Sequence, residues 1–349
     1  MSQMSQFNRT VGQNTRCILG ILPFQRKGGA FCETVCCRTI YSNACDLIRY
    51  VFYYFFLFAM LPGDYIDSNV NLTPERAKEL KALYGLDQPI WQRYVTWLGN
   101  VLSGDFGFSL KYQENVLSLL RKYVWNSFFV AFLALLVTWS AAMITGVISA
   151  VRKYSWFDGI VTFLVFASMA FPSFFISLLF IKWFGVDLKL LPVGGMIDTG
   201  STSTGFSYVL EAARHMILPV VILSMLGIGS LTRYFRSGML DVIRQDYIRT
   251  ARAKGLKERT VIWKHALKNA LIPAITLLAF ELPGLFSGAI IIEQIFGWPG
   301  VGRIQLESVH YRDYPVLMAF TLFLSCLTIA GNFLADIAYA AVDPRVRLK

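Results

Sequence analysis

Long apolar runs alternate with short polar segments along most of this chain. Five of the runs are close to the length of about 20 residues at which a helix spans the hydrocarbon core of a bilayer. They are 124–151, 159–186, 216–231, 270–296 and 316–342. A soluble α/β protein interrupts its apolar runs more often. The pattern therefore predicts an all-α integral membrane protein.

A sixth span is predicted over residues 41–61, where the pattern is less regular. The run Tyr50–Leu61 is intensely apolar but too short to cross a bilayer alone. Extending it to Tyr41 includes Asp46 and Arg49, and charged side chains are costly at the bilayer centre. Near the helix start, Arg49 would reach the interface with its charged end. The sequence thus predicts about six transmembrane helices, with the core of the protein at 124–342.

Composition and charge support this assignment and indicate how the chain is oriented in the membrane. Only 16% of the residues are charged, against about 25% in an average soluble protein, and the mean hydropathy is +0.50. The net charge is +11, and about two thirds of the basic residues fall on one predicted side of the membrane, the pattern of cytoplasmic loops. We therefore expect a multi-pass protein of the cell membrane in contact with lipid, and no nucleic-acid partner.

The same charge distribution predicts the topology. The N-terminal tail 1–40, the basic segment 233–268 and the C-terminus 343–349 are expected in the cytoplasm, and the segment 62–123 on the opposite side. Five of the six cysteines precede residue 46. Their spacing lacks the paired C-x2-C pattern of a zinc site, so we expect free thiols and no metal.

The extracytoplasmic segment 62–123 is predicted to contain two short helices. Thr73-Pro74 is typical of an N-cap followed by a proline in the first turn. Pro89 starts a second helical pattern with an apolar face, and the glycines near 104 end it. Such a face suits the membrane interface or another protein, and it equally suits packing against the chain's own spans.

The basic segment 233–268 has a helical pattern with a defined stop. Asp246 is the predicted N-cap of a short helix, and Gly255 follows it where a left-handed residue ends a helix. A second helix, at about 258–269, leads into the fifth span. The alternative is a solvated basic connector, which would not need so defined a stop at Gly255.

No catalytic constellation is found in the sequence. The three histidines lie in three different polar segments, and the pattern G-x-x-x-x-G-K-[ST] that binds ATP phosphates is absent. We therefore predict that the chain is not an enzyme and binds no cofactor itself. Ionisable and polar residues within the apolar runs are functional candidates, although a structural role is favoured: Glu281, Glu293, Asn332 and Asp336.

Several motifs together resemble one family. They are Asp246–Leu256 with His265–Ala270, Leu61–Asp64, Leu86–Pro89, Gly104–Gly107, Ser155–Asp158, Glu293–Gly302, Arg312–Pro315 and Asp343–Arg347. Over about residues 50–349 the chain resembles the permeases of binding-protein-dependent ABC importers, in the oligopeptide/dipeptide/nickel branch. The long first outer loop is similar to that of the first, B-type permease. The cysteine-rich tail departs from the family pattern.

This resemblance implies a type I ABC importer permease fold and a function. The chain would form half of a translocation pore, in a heterodimer with a second permease. Two ATP-binding subunits would carry ATP and Mg, and an extracytoplasmic solute-binding protein would deliver the solute. Peptides are the expected cargo, with nickel, glutathione or another small solute as the alternative.

The resemblance also implies which residues contact the ATPase. The expected coupling helix comprises Asp246, Tyr247, Arg249, Thr250, Ala251, Arg252, Ala253, Lys254, Gly255 and Leu256, with the small alanines close to the ATPase. Two other classes fit the sequence less well. A secondary transporter or channel working alone predicts paired broken helices or a charged relay, and a membrane-embedded enzyme predicts a nucleophile and a base.

Overall fold

The structure is a computed structural model that describes residues 47–60, 63, 65–67, 73–281 and 283–342. The predicted tail 1–40, the start of the predicted first span and the C-terminus 343–349 lie outside the described residues. The side chains of 272, 276, 279, 280 and 335–342 are likewise outside the description.

Helices account for most of the described chain. Among the described residues, the strands are two antiparallel ones of two residues each, β1 (Phe108–Ser109) and β2 (Glu114–Asn115). The helices are α1 (Leu47–Ala59), α2 (Pro74–Leu83), α3 (Ile90–Leu102), α4 (Val116–Val151), α5 (Trp156–Ala170), α6 (Ser173–Phe180), α7 (Phe206–Ile243), α8 (Asp246–Ala253), α9 (Glu258–Thr260), α10 (Leu267–Glu281), α11 (Gly284–Ser287), α12 (Ile290–Ile295), α13 (Val301–Tyr311) and α14 (Tyr314–Val342). Two π-helical segments, π1 (Ile181–Asp187) and π2 (Val261–Ala266), continue α6 and α9.

Three of the described helices are long and apolar enough to cross a membrane. They are α4, α7 and the part of α14 from Tyr314 to Leu334. The pair formed by α5 and α6 with π1 makes a fourth span if it is counted as one bent unit. The predicted helical membrane fold is confirmed, but the helices differ from the predicted runs in length. Helix α7, for example, extends beyond the apolar run 216–231 at both ends.

The third predicted span, 159–186, is bent by 102° between α5 and α6. Pro172 causes the bend because the residue before a proline is pushed out of the helical region. Phe171 accordingly has extended backbone angles, with φ −95° and ψ 137°. The chain then restarts a helix from Pro172, whose fixed φ suits a helix start.

The prediction of a continuous fifth span over 270–296 is wrong. This segment is divided into α10, α11 and α12. Pro283 follows the end of α10 and has no backbone N–H to continue the helical hydrogen bonds. Gly288 has φ +73°, a left-handed conformation that ends α11. The apolar composition of the run does not reveal either interruption.

Helices α4 and α7 pack along each other over most of their length. Hydroxyl groups join them: Ser224 Oγ donates to the Ala134 carbonyl at 3.2 Å, and the Thr145 and Thr232 hydroxyls are 3.1 Å apart. Gly146 allows the closest approach, because a Cβ there would lie 2.8 Å from Phe235 Cβ. Small residues and hydroxyls are the usual means of helix association in a bilayer, where apolar surfaces alone give little preference.

The predicted short helices before the first long span are present as α2 and α3. Thr73 is the N-cap of α2, and its Oγ1 accepts a hydrogen bond from the Arg76 backbone N–H. One side of α3 packs on α1, with the ring centroids of Tyr94 and Phe55 5.2 Å apart. Trp91, on another side of α3, is 61% exposed. The apolar face of α3 is therefore shared between internal packing and an exposed surface.

We expect the α4–α7 contact to be sensitive to a single methyl group at Gly146. Gly146→Ala should lower the thermal unfolding temperature of the purified protein, because the new Cβ overlaps Phe235 and the Thr232 carbonyl. The control is Gly238→Ala on α7, where no atom lies within 4 Å of the added Cβ. It should be neutral or stabilising by up to about 1 kcal/mol through helix propensity. Equal melting temperatures for the two variants would contradict the close packing.

Candidate functional site

The short basic helix predicted around Asp246 is present as α8, with a different cap. Gln245 is the N-cap, with extended backbone angles of φ −73° and ψ 150°. Asp246, the predicted cap, occupies the first turn instead, where a negative charge still suits the helix dipole. Its Oδ1 lies 3.3 Å from Arg249 Nη1. The cap prediction failed by one residue because both polar residues suit a helix start.

One face of α8 is buried against the rest of the chain. Ile248 is 0% and Ala251 7% exposed, and both belong to an apolar cluster that we call the α8 anchor. Its other members come from α4, α7, π2 and α10: Val147, Ala150, Met239, Val261, Ile262, Ala266, Leu267 and Ala270. Packing within this chain therefore requires a small residue at Ala251, and the expected contact of Ala251 with an ATPase stays a prediction.

The remaining faces of α8 are exposed. Among the predicted coupling residues, the exposed side chains are those of Asp246, Tyr247, Arg249, Thr250, Arg252, Ala253, Lys254 and Leu256. Tyr247 is 46% exposed, although partial burial raises the pKa of its hydroxyl. Helix α8 thus has one face packed in an apolar core, and its other faces form an exposed surface that is both basic and apolar.

The turn after α8 is fixed by backbone geometry and by an ion pair. Gly255 has φ +75°, which confirms the predicted left-handed stop. Across the turn, Arg252 donates two hydrogen bonds to the Glu258 carboxylate, at 2.6 Å from Nη2 and 3.1 Å from Nε. The hydrogen bonds from Arg252 hold the pKa of Glu258 below its ordinary value. The pair therefore joins α8 to the helical segment that leads into α10.

A buried ion pair lies near the same ends of α4 and α7. Arg236 on α7 makes a bidentate contact with Asp158 on α5, with both N–O distances 2.8 Å. Asp158 also accepts a hydrogen bond from the Ser149 hydroxyl on α4 and one from the Tyr154 backbone N–H. This carboxylate ties together three helices at the α8 end of the bundle. Removing one partner of such a pair leaves an unpaired buried charge.

A second polar cluster surrounds Glu293, which is 2% exposed. Its Oε1 accepts a hydrogen bond from the Ser127 hydroxyl on α4 at 2.6 Å and from the Ala289 backbone N–H at 3.2 Å. Its Oε2 accepts from the Arg303 backbone N–H at 3.1 Å. Ser127 Oγ in turn accepts from the Val301 backbone N–H at 2.8 Å. Glu293 is thus an internal hydrogen-bond acceptor that holds the turn between α12 and α13 on α4.

Two glycines and a tryptophan complete this Glu293 cluster. A Cβ at Gly300 would overlap the Glu293 carboxylate, and a Cβ at Gly302 would lie 2.9 Å from Ile290 Cα. Trp298 is 1% exposed, and its indole N–H donates to the Asn126 carbonyl at 3.2 Å. The motif Glu293–Gly302 is therefore a close-packed turn in which Gly300 and Gly302 leave space for neighbouring groups.

Neither Glu281 nor Asn332 is a hydrogen-bond partner of Glu293. Glu281 ends α10 with an exposed side chain. Asn332 is partly buried on α14, and the side chain of Asp336 lies outside the described residues. The suggested network between Asn332 and Asp336 stays a prediction.

Sequence reasoning missed the partners that give these clusters their form. Asn126 and Ser127 were treated as part of an apolar run, and Arg236 was counted only as a basic loop residue. Two adjacent polar residues within an apolar helix are the signal that could have identified the first pair. A group of three residues that could hold a metal ion, Asp198, Glu211 and His215, was also missed.

Comparison with known proteins agrees with this architecture. A family model described as "Binding-protein-dependent transport system inner membrane component" matches residues 142–348. The chain is 41% identical over 264 residues to the oligopeptide transport system permease protein AppB of Bacillus subtilis, covering 75% of this chain and 82% of that protein. It is 35% identical over 318 residues to the dipeptide transport system permease protein DppB of Escherichia coli, covering 83% and 91%.

A solved structure of the MetNI methionine ABC transporter, in an inward-facing conformation, is similar in fold. The TM-score is 0.52 at 18% sequence identity, and the match covers 65% of this chain and 97% of that chain. At this identity the similarity concerns the fold alone. It confirms the predicted architecture of a type I ABC importer permease.

The described helices and the polar clusters between them define a multi-pass helical membrane protein. The chain belongs to the family of binding-protein-dependent transport system inner membrane components. Its role as a membrane-embedded transport subunit, predicted from the sequence, is confirmed by this membership.

The Glu293 cluster predicts different effects for two otherwise similar substitutions. Glu293→Gln replaces one acceptor oxygen with an amide that cannot accept the surrounding hydrogen bonds, and it should destabilise the protein by about 1–3 kcal/mol. Glu281→Gln is the control: this exposed side chain should change stability by less than about 0.5 kcal/mol. Thermal unfolding of both purified variants measures the difference. An unchanged melting temperature for Glu293→Gln would exclude the structural role of this carboxylate.

Proposed function

We propose that this chain is one of two different permease subunits of an ATP-driven peptide importer. It forms half of the translocation pathway, and a second permease forms the other half. Two ATP-binding subunits carry ATP and Mg, and an extracytoplasmic binding protein delivers the solute. The family membership and the absence of an ATP-phosphate motif from this sequence support the division of labour between chains.

Oligopeptides or dipeptides are the proposed cargo. The support is that relatives at 41% and 35% identity over most of the chain are named as oligopeptide and dipeptide permeases. Within the described residues, the buried carboxylate of Glu293 is engaged with protein donors. This carboxylate is therefore engaged internally, and we assign recognition of the cargo to the binding protein, with this chain providing the pathway.

The main support for a coupling role of this chain is that α8 has one buried face and one exposed face. The buried face is fixed in the α8 anchor, which includes residues of α4, α7, π2 and α10. The exposed face includes Tyr247, Arg249, Thr250 and Ala253. We assign this exposed face to the cleft of an ATP-binding subunit. A force applied to α8 would then reach four other segments through packed side chains, without a flexible link.

The mechanism that follows is a rigid-body transmission. Closure of the ATP-binding subunits around ATP would displace α8, and the α8 anchor would carry the ends of α4, α7 and α10 with it. The Arg252–Glu258 pair and the glycine turn keep α8 and π2 as one unit. The Arg236–Asp158 pair would extend the same motion to α5. Alternate opening of the pathway to the two sides is the expected consequence.

On the opposite side of the membrane, α2 and α3 are assigned to reception of the binding protein. Exposed apolar side chains on or next to these helices offer contact area: Leu83, Tyr84, Trp91, Val95 and Leu102. The packing of α3 on α1 holds this surface near the end of the first predicted span. A signal from the binding protein would therefore reach the membrane helices directly.

The proposed topology predicts which positions an impermeant thiol reagent labels. In a cysteine-free background, Trp91→Cys and Thr204→Cys should be labelled on intact cells. Lys254→Cys should be labelled only after the membrane is permeabilised. All three side chains are exposed, so burial does not prevent the reaction. Labelling of Lys254→Cys on intact cells would contradict the topology.

The coupling role predicts a selective effect of Ala253→Arg. Ala253 is exposed on α8, so a larger side chain should leave the fold intact, but it should not fit against a partner. In the reconstituted complex, we expect ATP hydrolysis to be stimulated by the peptide-loaded binding protein, and Ala253→Arg to abolish this stimulation and reduce co-purification of the ATP-binding subunit.

The matched control is Ala213→Arg, an exposed alanine at the other end of α7. This variant should retain the ATP-binding subunit. Normal retention and stimulation in Ala253→Arg would show that α8 is only a basic connector. Stimulation by nickel or glutathione instead of peptides would preserve the coupling mechanism and replace the proposed cargo.

A further inference from the structure

Three potential metal ligands meet where the loop before α7 returns to that helix. Glu211 and His215 are one turn apart on α7, and Asp198 lies in the loop between π1 and α7. Their ligand atoms, one from each residue, all lie within 4.8 Å of one another. A spacing of four residues on a helix directs two side chains to the same face. The loop supplies the third ligand from outside the helix.

His215 has a geometry that a metal-binding histidine requires. Its side chain is 2% exposed, and Nδ1 lies 3.0 Å from the Gly194 carbonyl oxygen. A carbonyl only accepts, so Nδ1 carries the proton and the neutral ring has its lone pair on Nε2. Nε2 is buried and has no hydrogen-bond partner. Metal-binding histidines are commonly held by such a contact between the second ring nitrogen and a backbone carbonyl.

The two carboxylates are also held in position. Glu211 Oε1 accepts a hydrogen bond from the Asp198 backbone N–H at 2.7 Å, and Oε2 accepts from the Ser201 hydroxyl at 2.8 Å. Each carboxylate oxygen has a second lone pair that these contacts do not use. Asp198 Oδ1 lies 3.4 Å from His215 Nε2. A lone pair on Nε2 beside a carboxylate is unfavourable unless a positive charge lies near both atoms.

We propose that Asp198, Glu211 and His215 bind a divalent transition-metal cation of the zinc type. One imidazole and two carboxylates form a donor set that suits Zn²⁺. Ca²⁺ and Mg²⁺ prefer sites made of oxygen ligands alone. Three protein ligands leave a further coordination position for water or for a group from another chain.

The proposed ion would brace the loop against the membrane helices. Asp198 comes from the loop, whereas the other two ligands come from α7. The same loop contacts the Glu293 cluster, because the Gly195 backbone N–H donates to the Phe296 carbonyl at 2.7 Å. Bound metal would therefore stabilise the connection between α7, the loop and the turn before α13. This inference does not depend on the proposed cargo.

The test is zinc binding by the full-length protein in detergent, purified without a polyhistidine tag. After equilibration with ZnCl₂ and removal of free metal, elemental analysis gives the zinc content per chain. We expect wild-type protein to hold one more tightly bound Zn²⁺ than His215→Ala. Asp198→Asn should weaken this binding, and because the Asp198 side chain is exposed, this variant should keep the wild-type fold.

The control is His310→Ala, which removes an exposed histidine elsewhere in the chain. It should retain the wild-type zinc content. The six cysteines are present in every variant, so zinc bound to thiols cancels in the comparison. Equal zinc content in wild-type protein, His215→Ala and Asp198→Asn would overturn the proposal. Asp198 and His215 would then form only an ion pair when the histidine is protonated.

Discussion

The close packing of α4 against α7 is the constraint on which the other features depend. In a bilayer, apolar side chains have little preference for each other over lipid, so helices associate through close contact and polar groups. Gly146 and the hydroxyls of Thr145, Ser224 and Thr232 provide both at this interface. At one end of the pair, α8 and Asp158 are attached. At the other end, the Glu293 cluster contacts α4, and the loop of Asp198 contacts α7.

This arrangement would give the proposed coupling a physical path. The α8 anchor is apolar and closely packed, so a displacement of α8 should be transmitted to the helices that it contacts. The Arg236–Asp158 contact adds a directional link between α7 and α5. Toward the other end of α4, about 30 Å away at 1.5 Å per residue, Ser127 connects the same helix to the turn at Glu293. One packed pair of helices therefore reaches both ends of the protein.

Local features could be predicted from the sequence, and tertiary contacts could not. The cap at Thr73, the stop at Gly255 and the helix following Asp246 depend on short-range backbone preferences. The interrupted fifth span was missed because hydropathy does not register the loss of helical hydrogen bonds at Pro283. The packing of Ala251 within the chain was not predicted, because a small residue suits an internal contact as well as an external one. Ser127, which donates to Glu293 from α4, lies 166 residues away in the sequence, a separation that no local pattern connects.

The central claim is that α8 moves as one rigid unit with α7. The most direct measurement is the distance between spin labels at Lys254→Cys at the end of α8 and Ser237→Cys on α7, both exposed positions, in an otherwise cysteine-free complex. Distances by pulsed electron paramagnetic resonance are compared without nucleotide and with ATP bound. The account predicts the same distance distribution in both states while transport activity is retained. A distance that changes on ATP binding would contradict rigid attachment of α8.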